Sequence, residues 1–237
     1  MTELLDILRD AAPALGGLDV PDLAGSTPLW LSLATVLVNA IVGALRGILD
    51  RSHDWDLVGV SAFALLMGLG GGFIRDLLIG NLPAESLRSP WFLATVLVGI
   101  VIARIGSRVI ERLDGLFVQL NALALGLFAV VGASYATAFG LPFVSAVLIG
   151  TLSAVGGGML VSVLQGQVPR ILIAGAPNAL LAVWGSTAYL AVAGWNPAAA
   201  SFVGIATVLV AQAVSLRLGL TTRPTHGRPA GASDGPR

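Results

Sequence analysis

The sequence has no cysteine, no lysine, only two histidines and just 11% charged residues. Without cysteine there are no disulfides, thiolate metal sites or thiol redox chemistry. His53 and His226 are too few for a histidine-based metal centre, so neither a metal nor a cofactor is expected. A formal net charge of zero leaves no electrostatic footprint for nucleic acid. No G-x-x-x-x-G-K-[ST] stretch occurs, so nothing suggests ATP drive. Gly68-x-Gly70 sits in no strand–helix unit and lacks the downstream acidic partner of a dinucleotide loop. A soluble domain carries about 25% charged residues, more than twice the share here.

Apolar residues and glycine are what the chain has in abundance. Hydrophobic residues make up 56%, mean hydropathy is +0.89, and there are 30 glycines. About 20 apolar residues span a bilayer as a helix. Seven such segments run over residues 29–49, 57–79, 91–110, 116–139, 141–164, 171–193 and 198–220, joined by short loops. The expected fold is all-α, a polytopic membrane protein in direct contact with membrane lipids. Ahead of the spans, Met1-Thr2-Glu3-Leu4-Leu5-Asp6 is acidic where a secretory leader needs cations. Leu4, Leu5, Leu8 and Ala12 have helical spacing, which suggests a short interfacial helix before Pro13, Pro21 and Pro28. The end of the chain, residues 221–237, is rich in Pro, Gly and Arg and is expected to be a disordered tail.

Arginines set the orientation. Ten fall on the side holding the first, third and fifth loops and the C-terminus; two, Arg9 and Arg88, fall on the other, and Arg75 lies inside a span. The positive-inside rule puts the C-terminus in the cytoplasm and, with seven spans, the N-terminus outside the inner membrane.

Gly70-Gly71-Gly72-Phe73-Ile74-Arg75-Asp76-Leu77-Leu78-Ile79-Gly80-Asn81-Leu82-Pro83 recurs 86 residues later as Gly156-Gly157-Gly158-Met159-Leu160-Val161-Ser162-Val163-Leu164-Gln165-Gly166-Gln167-Val168-Pro169. Six of 14 positions are identical, the three glycines, Leu78/Leu164, Gly80/Gly166 and Pro83/Pro169. The chain therefore reads as a duplication: residues 1–28 outside, a three-helix repeat over 29–115, a second over 116–196, a seventh helix over 197–220, and the tail. Because each repeat holds an odd number of spans, the second copy enters the membrane inverted. Inverted repeats meeting at glycine-weakened helices are a common architecture of transport proteins.

Two readings of the triplets stay open: close helix packing, or a kink or break in spans two and five that bares backbone to a wet path. Arg75 and Asp76 are neighbours on a helix, about 100° apart, so each is expected to find its own partner. They are read either as a structural pair near the interface or as lining a solute path. Val161 and Ser162 replace them in the second copy. Asn39, Asn121, Asn178, Ser134, Ser153, Ser162 and Gln165 are polar groups within spans, each either helix–helix glue or a path-lining dipole. Tyr135, Trp184 and Tyr189 read as packing or interface aromatics. An enzyme is not expected, since neither histidine lies in mid-span.

The two glycine motifs, with Asp56-Leu57-Val58-Gly59-Val60 opening span two and residues 121–133 in span four, resemble the prokaryotic trimeric intracellular cation (TRIC) channel family, whose bacterial members also carry the name of glycine transporters. The resemblance covers about residues 29–220; its first motif is fairly specific and its second degraded. It implies seven helices in two inverted three-helix repeats plus a seventh helix, assembled as a homotrimer. It also implies a passive path for K⁺ and Na⁺ in each protomer, with Gly70, Gly71, Gly72, Gly156, Gly157 and Gly158 as helix kinks. Arg75 and Asp76 match the family's charged pair, whereas Val161-Ser162 departs from it. Asn121 stands where many members have Asp, and any role of lysine must pass to arginine. The alternatives to a channel are a carrier for a small solute such as glycine and a non-transporting scaffold.

Overall fold

The computed structural model describes residues 28–50, 52–112, 115–169, 171–173 and 177–220. The interfacial helix expected near the N-terminus and the expected tail lie outside the described residues. The described residues form eight helices: α1 (Leu29–Ile48), α2 (Leu57–Ile79), α3 (Glu85–Arg88), α4 (Pro90–Arg112), α5 (Leu116–Ala138), α6 (Phe143–Leu164), α7 (Asn178–Ala193) and α8 (Pro197–Leu218). There is no strand among the described residues.

Local chemistry sets the boundaries. Asp56 caps α2 by accepting the Gly59 N–H at 2.8 Å, and Asn196 caps α8 by accepting the Ala199 N–H at 3.0 Å. The matching ends of the two motif copies do the same work twice. Gly80 (φ 77°) and Gly166 (φ 68°) take the left-handed conformation that a side chain resists. The next N–H then closes back five residues, Asn81 onto the Asp76 carbonyl at 2.8 Å and Gln167 onto that of Ser162 at 2.9 Å.

Among the described residues, six helices are long and apolar enough to cross a membrane. The segment expected over 171–193 is shorter in the structure. Its helix, α7, starts only at Asn178 and has 16 residues, about 24 Å of rise. Residues 171–173 form a turn instead. The four-residue helix α3 between α2 and α4 is a feature the hydropathy pattern did not carry.

Helices α1, α2 and α4 pack together, and so do α5, α6 and α7. The two units meet through equivalent members, α1 on α5 and α2 on α6, which is the contact pattern of a two-fold related pair. Helix α8 packs on α5 and α7. Helix α5 lies at the centre, and every residue from Ala124 to Ala136 is buried. Helix α4 instead exposes Leu93, Leu97, Val101 and Ile105 along one face, the surface expected of a helix that borders lipid or another apolar partner.

Candidate functional site

Both glycine triplets lie within uninterrupted α-helix, so the break that three glycines allow is absent. Their first two members are the contact between α2 and α6. A methyl group at Gly157 would lie 2.8 Å from the Met67 carbonyl oxygen and 2.9 Å from that of Leu66. A methyl at Gly71 would collide with the carbonyl oxygen of Ser153, the residue equivalent to Met67. One step back, Gly70 faces the Leu160 side chain, and Gly156 faces that of the equivalent Ile74. Ser153 Oγ adds a hydrogen bond across the crossing to the Gly71 carbonyl, 3.2 Å. The glycines thus let two backbones approach until carbonyls touch Cα positions, and helical hydrogen bonding stays intact because nothing larger than hydrogen is interposed.

The third glycines behave differently. Nothing lies within 4 Å of the space a Cβ would take at Gly72, and at Gly158 the nearest group is the Arg46 guanidinium at 3.7 Å. Each borders a cavity, and the two cavities open on opposite ends of the crossing. Counted with the open space at its mouth, the one at Gly158 has about 410 Å³ free of protein atoms and the one at Gly72 about 310 Å³. Each has room for a water molecule. Their walls match at the repeat offset: Gly68 and Ala154, Leu69 and Val155, Gly72 and Gly158, Thr35 and Asn121, Glu85 and Ile171, Phe92 and Asn178. Leu125 lines one cavity and Phe128 the other, one helical turn (about 5 Å) apart on α5. At the crossing a Cβ on Gly71 would meet the Ser153 carbonyl and the Phe128 ring, while Met67 and Leu125 line the Gly158 cavity and Phe128 the Gly72 cavity.

The Gly72 cavity carries a charge cluster. Arg75 donates from Nε to Asp76 Oδ1 at 2.8 Å and places an Nη the same distance from that oxygen. It also reaches Glu85 Oε2 at 3.3 Å and stacks 3.6 Å from the centroid of the Tyr135 ring. Asp76 Oδ2 accepts the Glu85 N–H at 2.9 Å, and the Tyr135 hydroxyl donates to Glu85 Oε2. The expectation of separate partners for Arg75 and Asp76 is therefore corrected. A long arginine side chain folds back along its own helix and bridges the angle between adjacent residues. Both groups are buried, where an unpaired charge would be strongly destabilising.

On the opposite end the α1–α2 loop is fastened by Asp50. Its Oδ2 accepts from the Trp55 indole at 2.6 Å and from Gln165 Nε2, past the end of α6, at 3.4 Å. Its Oδ1 accepts from Ser52 Oγ at 2.6 Å and Ser52 N–H at 2.9 Å. The Ser52 hydroxyl first, then the Trp55 indole and the Ser52 N–H, hold its carboxyl down at about 2.

Among the residues singled out from the sequence, Gly72 and Arg75 border one cavity, and Gly158, Asn121, Ser162 and Asn178 border the other. Ser162 Oγ donates to the Gly158 carbonyl at 2.9 Å, one turn back. Asp76 and Asn39 border neither. Asn39 is helix glue, donating from Nδ2 to the Thr35 carbonyl at 2.9 Å and across to the Ala124 carbonyl of α5 at 3.2 Å. The sequence reading missed Glu85, Tyr135 and Arg46. Glu85 lay in a loop, Tyr135 passed for packing, and Arg46 was counted only for orientation. The repeat pointed to neither Glu85 nor Arg46, because their equivalents at the offset of 86, Ile171 and Gly132, carry no charge.

A family model described as glycine transporter matches residues 29–108 and 118–194. The chain belongs to the glycine transporter family. A UPF0126 membrane protein of Deinococcus radiodurans is 36% identical over 60% of this chain, and the match spans 65% of that relative's length. The UPF0126 membrane protein YvgT of Bacillus subtilis is 30% identical over 70% of this chain and 79% of its own. Among solved structures, a TRIC cation channel superimposes with a TM-score of 0.73 at 26% identity, over 86% of this chain and all of that one. The TRIC orthologue from Rhodobacter sphaeroides, a trimeric intracellular cation channel, gives 0.69 at 28% identity over 81% and 98%. This glycine transporter family member therefore has the TRIC fold and is a multi-pass membrane protein, as the resemblance in its glycine motifs implied.

Proposed function

We propose that the chain is a TRIC-type channel for monovalent cations, K⁺ and Na⁺. In this reading it sits in the inner membrane as a homotrimer, N-terminus outside and C-terminus cytoplasmic, each protomer carrying its own path. One observation supports it above others: two cavities with matched walls approach from opposite ends to within about one helical turn, each bordered by the third glycine of a triplet. The cavities are vestibules and the seam at Phe128 and Met67 is a closed gate. Gly72, Arg75, Gly158, Asn121, Ser162 and Asn178 line the path, whereas Gly70, Gly71, Gly156 and Gly157 hold the crossing around which it forms. The structural neighbours named as TRIC cation channels support this assignment. Purified protein in planar bilayers is expected to pass K⁺ in ohmic steps that fall sharply in Gly72→Leu and Gly158→Leu, whose side chains project into the vestibules. Absence of current from folded trimers overturns the reading.

A carrier for a small solute such as glycine is the second reading. It is favoured by the thinness of the seam between two inverted halves, which suits alternating access by rocking. Saturable uptake of labelled glycine into proteoliposomes without steady current distinguishes it.

A further inference from the structure

The Gly72 cavity holds more oxygen than its own hydrogen bonds use. Glu85 receives Arg75 and the Tyr135 hydroxyl, and both fall on Oε2; Oε1 takes part in neither. A carboxylate offers about four lone-pair sites, so half of this one is still open. Ser86, the next residue, is only 7% exposed, lines the same cavity, and its Oγ has no hydrogen-bond partner among the described residues. A buried hydroxyl in that condition calls for a ligand or water. Ser32 presents a third oxygen from α1 across the same cavity.

We propose that Glu85, Ser86 and Ser32 form a binding site for a partly dehydrated monovalent alkali cation at this mouth of the path. The proposal rests on the channel reading and deepens it. The charge has the right sign, because Asp76 and Glu85 outnumber Arg75, the one cation bound to them among the described residues. The charge is also small. One anionic oxygen and two hydroxyls are a weak field, whereas Ca²⁺ takes 6–8 oxygens, several of them from carboxylates. No group of three His, Asp or Glu side chains suited to a metal ion occurs among the described residues. The Arg75 guanidinium, 3.3 Å from Glu85, disfavours a divalent ion further. A weak site is what conduction requires, since an ion must enter and also leave. At the other mouth the equivalent positions are Ile171 and Leu172, so the site exists at one end only.

Crystals of the full chain soaked with Tl⁺, a K⁺ surrogate visible by anomalous scattering, test it beside bilayer recordings. A Tl⁺ peak touching Glu85 Oε1 and Ser86 Oγ is expected, and it disappears in Glu85→Gln. The K⁺ concentration giving half-maximal current is expected to rise about tenfold in Glu85→Gln, the scale of losing one charged ligand. It should rise less in Ser86→Ala. Glutamine keeps an acceptor for Arg75 and Tyr135, and Ser86→Ala removes a hydroxyl that holds nothing, so both variants fold. Currents that persist with no Tl⁺ peak there and unchanged saturation in both variants overturn the site and leave the channel standing. A Tl⁺ peak without current leaves the site and overturns the channel. A site that takes Ca²⁺ and refuses Tl⁺ overturns the monovalent assignment.

Discussion

Gly71 and Gly157 occupy the same place in the two halves of one helix crossing, each with its Cα against a carbonyl oxygen of the opposite helix, Ser153 for the first and Met67 for the second. Backbone cannot yield as a side-chain tip can. Gly71→Ala and Gly157→Ala are each expected to destabilise the protein by about 1–3 kcal/mol, the range for overpacking. Gly72→Ala, with open space around it, should stay within about 1 kcal/mol of the parent or gain from better helix propensity. Thermal unfolding of detergent-purified variants measures the difference. Equal losses at Gly71 and Gly72 would show that the crossing is not what the triplet serves.

The pairing of Arg75 with Asp76 predicts strong non-additivity. Asp76→Ser alone leaves a buried guanidinium with Glu85 as its remaining anion and should destabilise by about 3–5 kcal/mol. The double change Arg75→Val with Asp76→Ser installs what the second copy already carries at Val161 and Ser162. It should be less damaging than Asp76→Ser. A double-mutant cycle on unfolding temperature decides it; additive losses would mean the two charges act separately.

Asn39 is expected to matter for stability and not for permeation. Its amide joins α1 to the Ala124 carbonyl of α5 and borders neither cavity. Asn39→Leu should cost about 0.6 kcal/mol, the average for a hydrogen bond between helices in a membrane. Unitary currents should be unchanged. A shift in conductance with stability intact would place Asn39 on the path after all.

Asp50 gives the α1–α2 loop a pH dependence. Its folded carboxyl titrates at about 2, below the ordinary 3.8, so its bonds favour the fastened loop at every pH above the ordinary value. That contribution fades as pH falls from about 4 toward 2. Trp55 emission, read in a variant with the other tryptophans replaced by Phe, should hold steady down to about pH 4 and shift below it. Asp50→Asn should bring the shifted spectrum at neutral pH. Identical spectra for parent and Asn variant would exclude the Trp55–Asp50 bond.

Much of the architecture was written in the sequence by itself. Low charge, seven apolar runs and a motif repeated at an offset of 86 specify a membrane bundle with an internal duplication. Length, hydropathy and spacing are properties of one segment at a time and need no partner to be read. The ends of α2 and α6 were legible for the same reason, because Gly80 and Gly166 act within their own turn.

What the glycines are for was decided only by tertiary structure. A triplet cannot say whether it bends its own helix or admits another, since that depends on what stands opposite. Here carbonyls of Met67 and Ser153 stand opposite Gly157 and Gly71, while cavities stand opposite Gly72 and Gly158. The union of Arg75, Asp76, Glu85 and Tyr135 likewise draws on α2, α3 and α5 and spans up to 60 residues of chain, from Arg75 to Tyr135. Such a cluster is stable because burial strips Arg75 and Asp76 of water and forces each onto the nearest counter-charge, a pressure that exists only once the helices have packed.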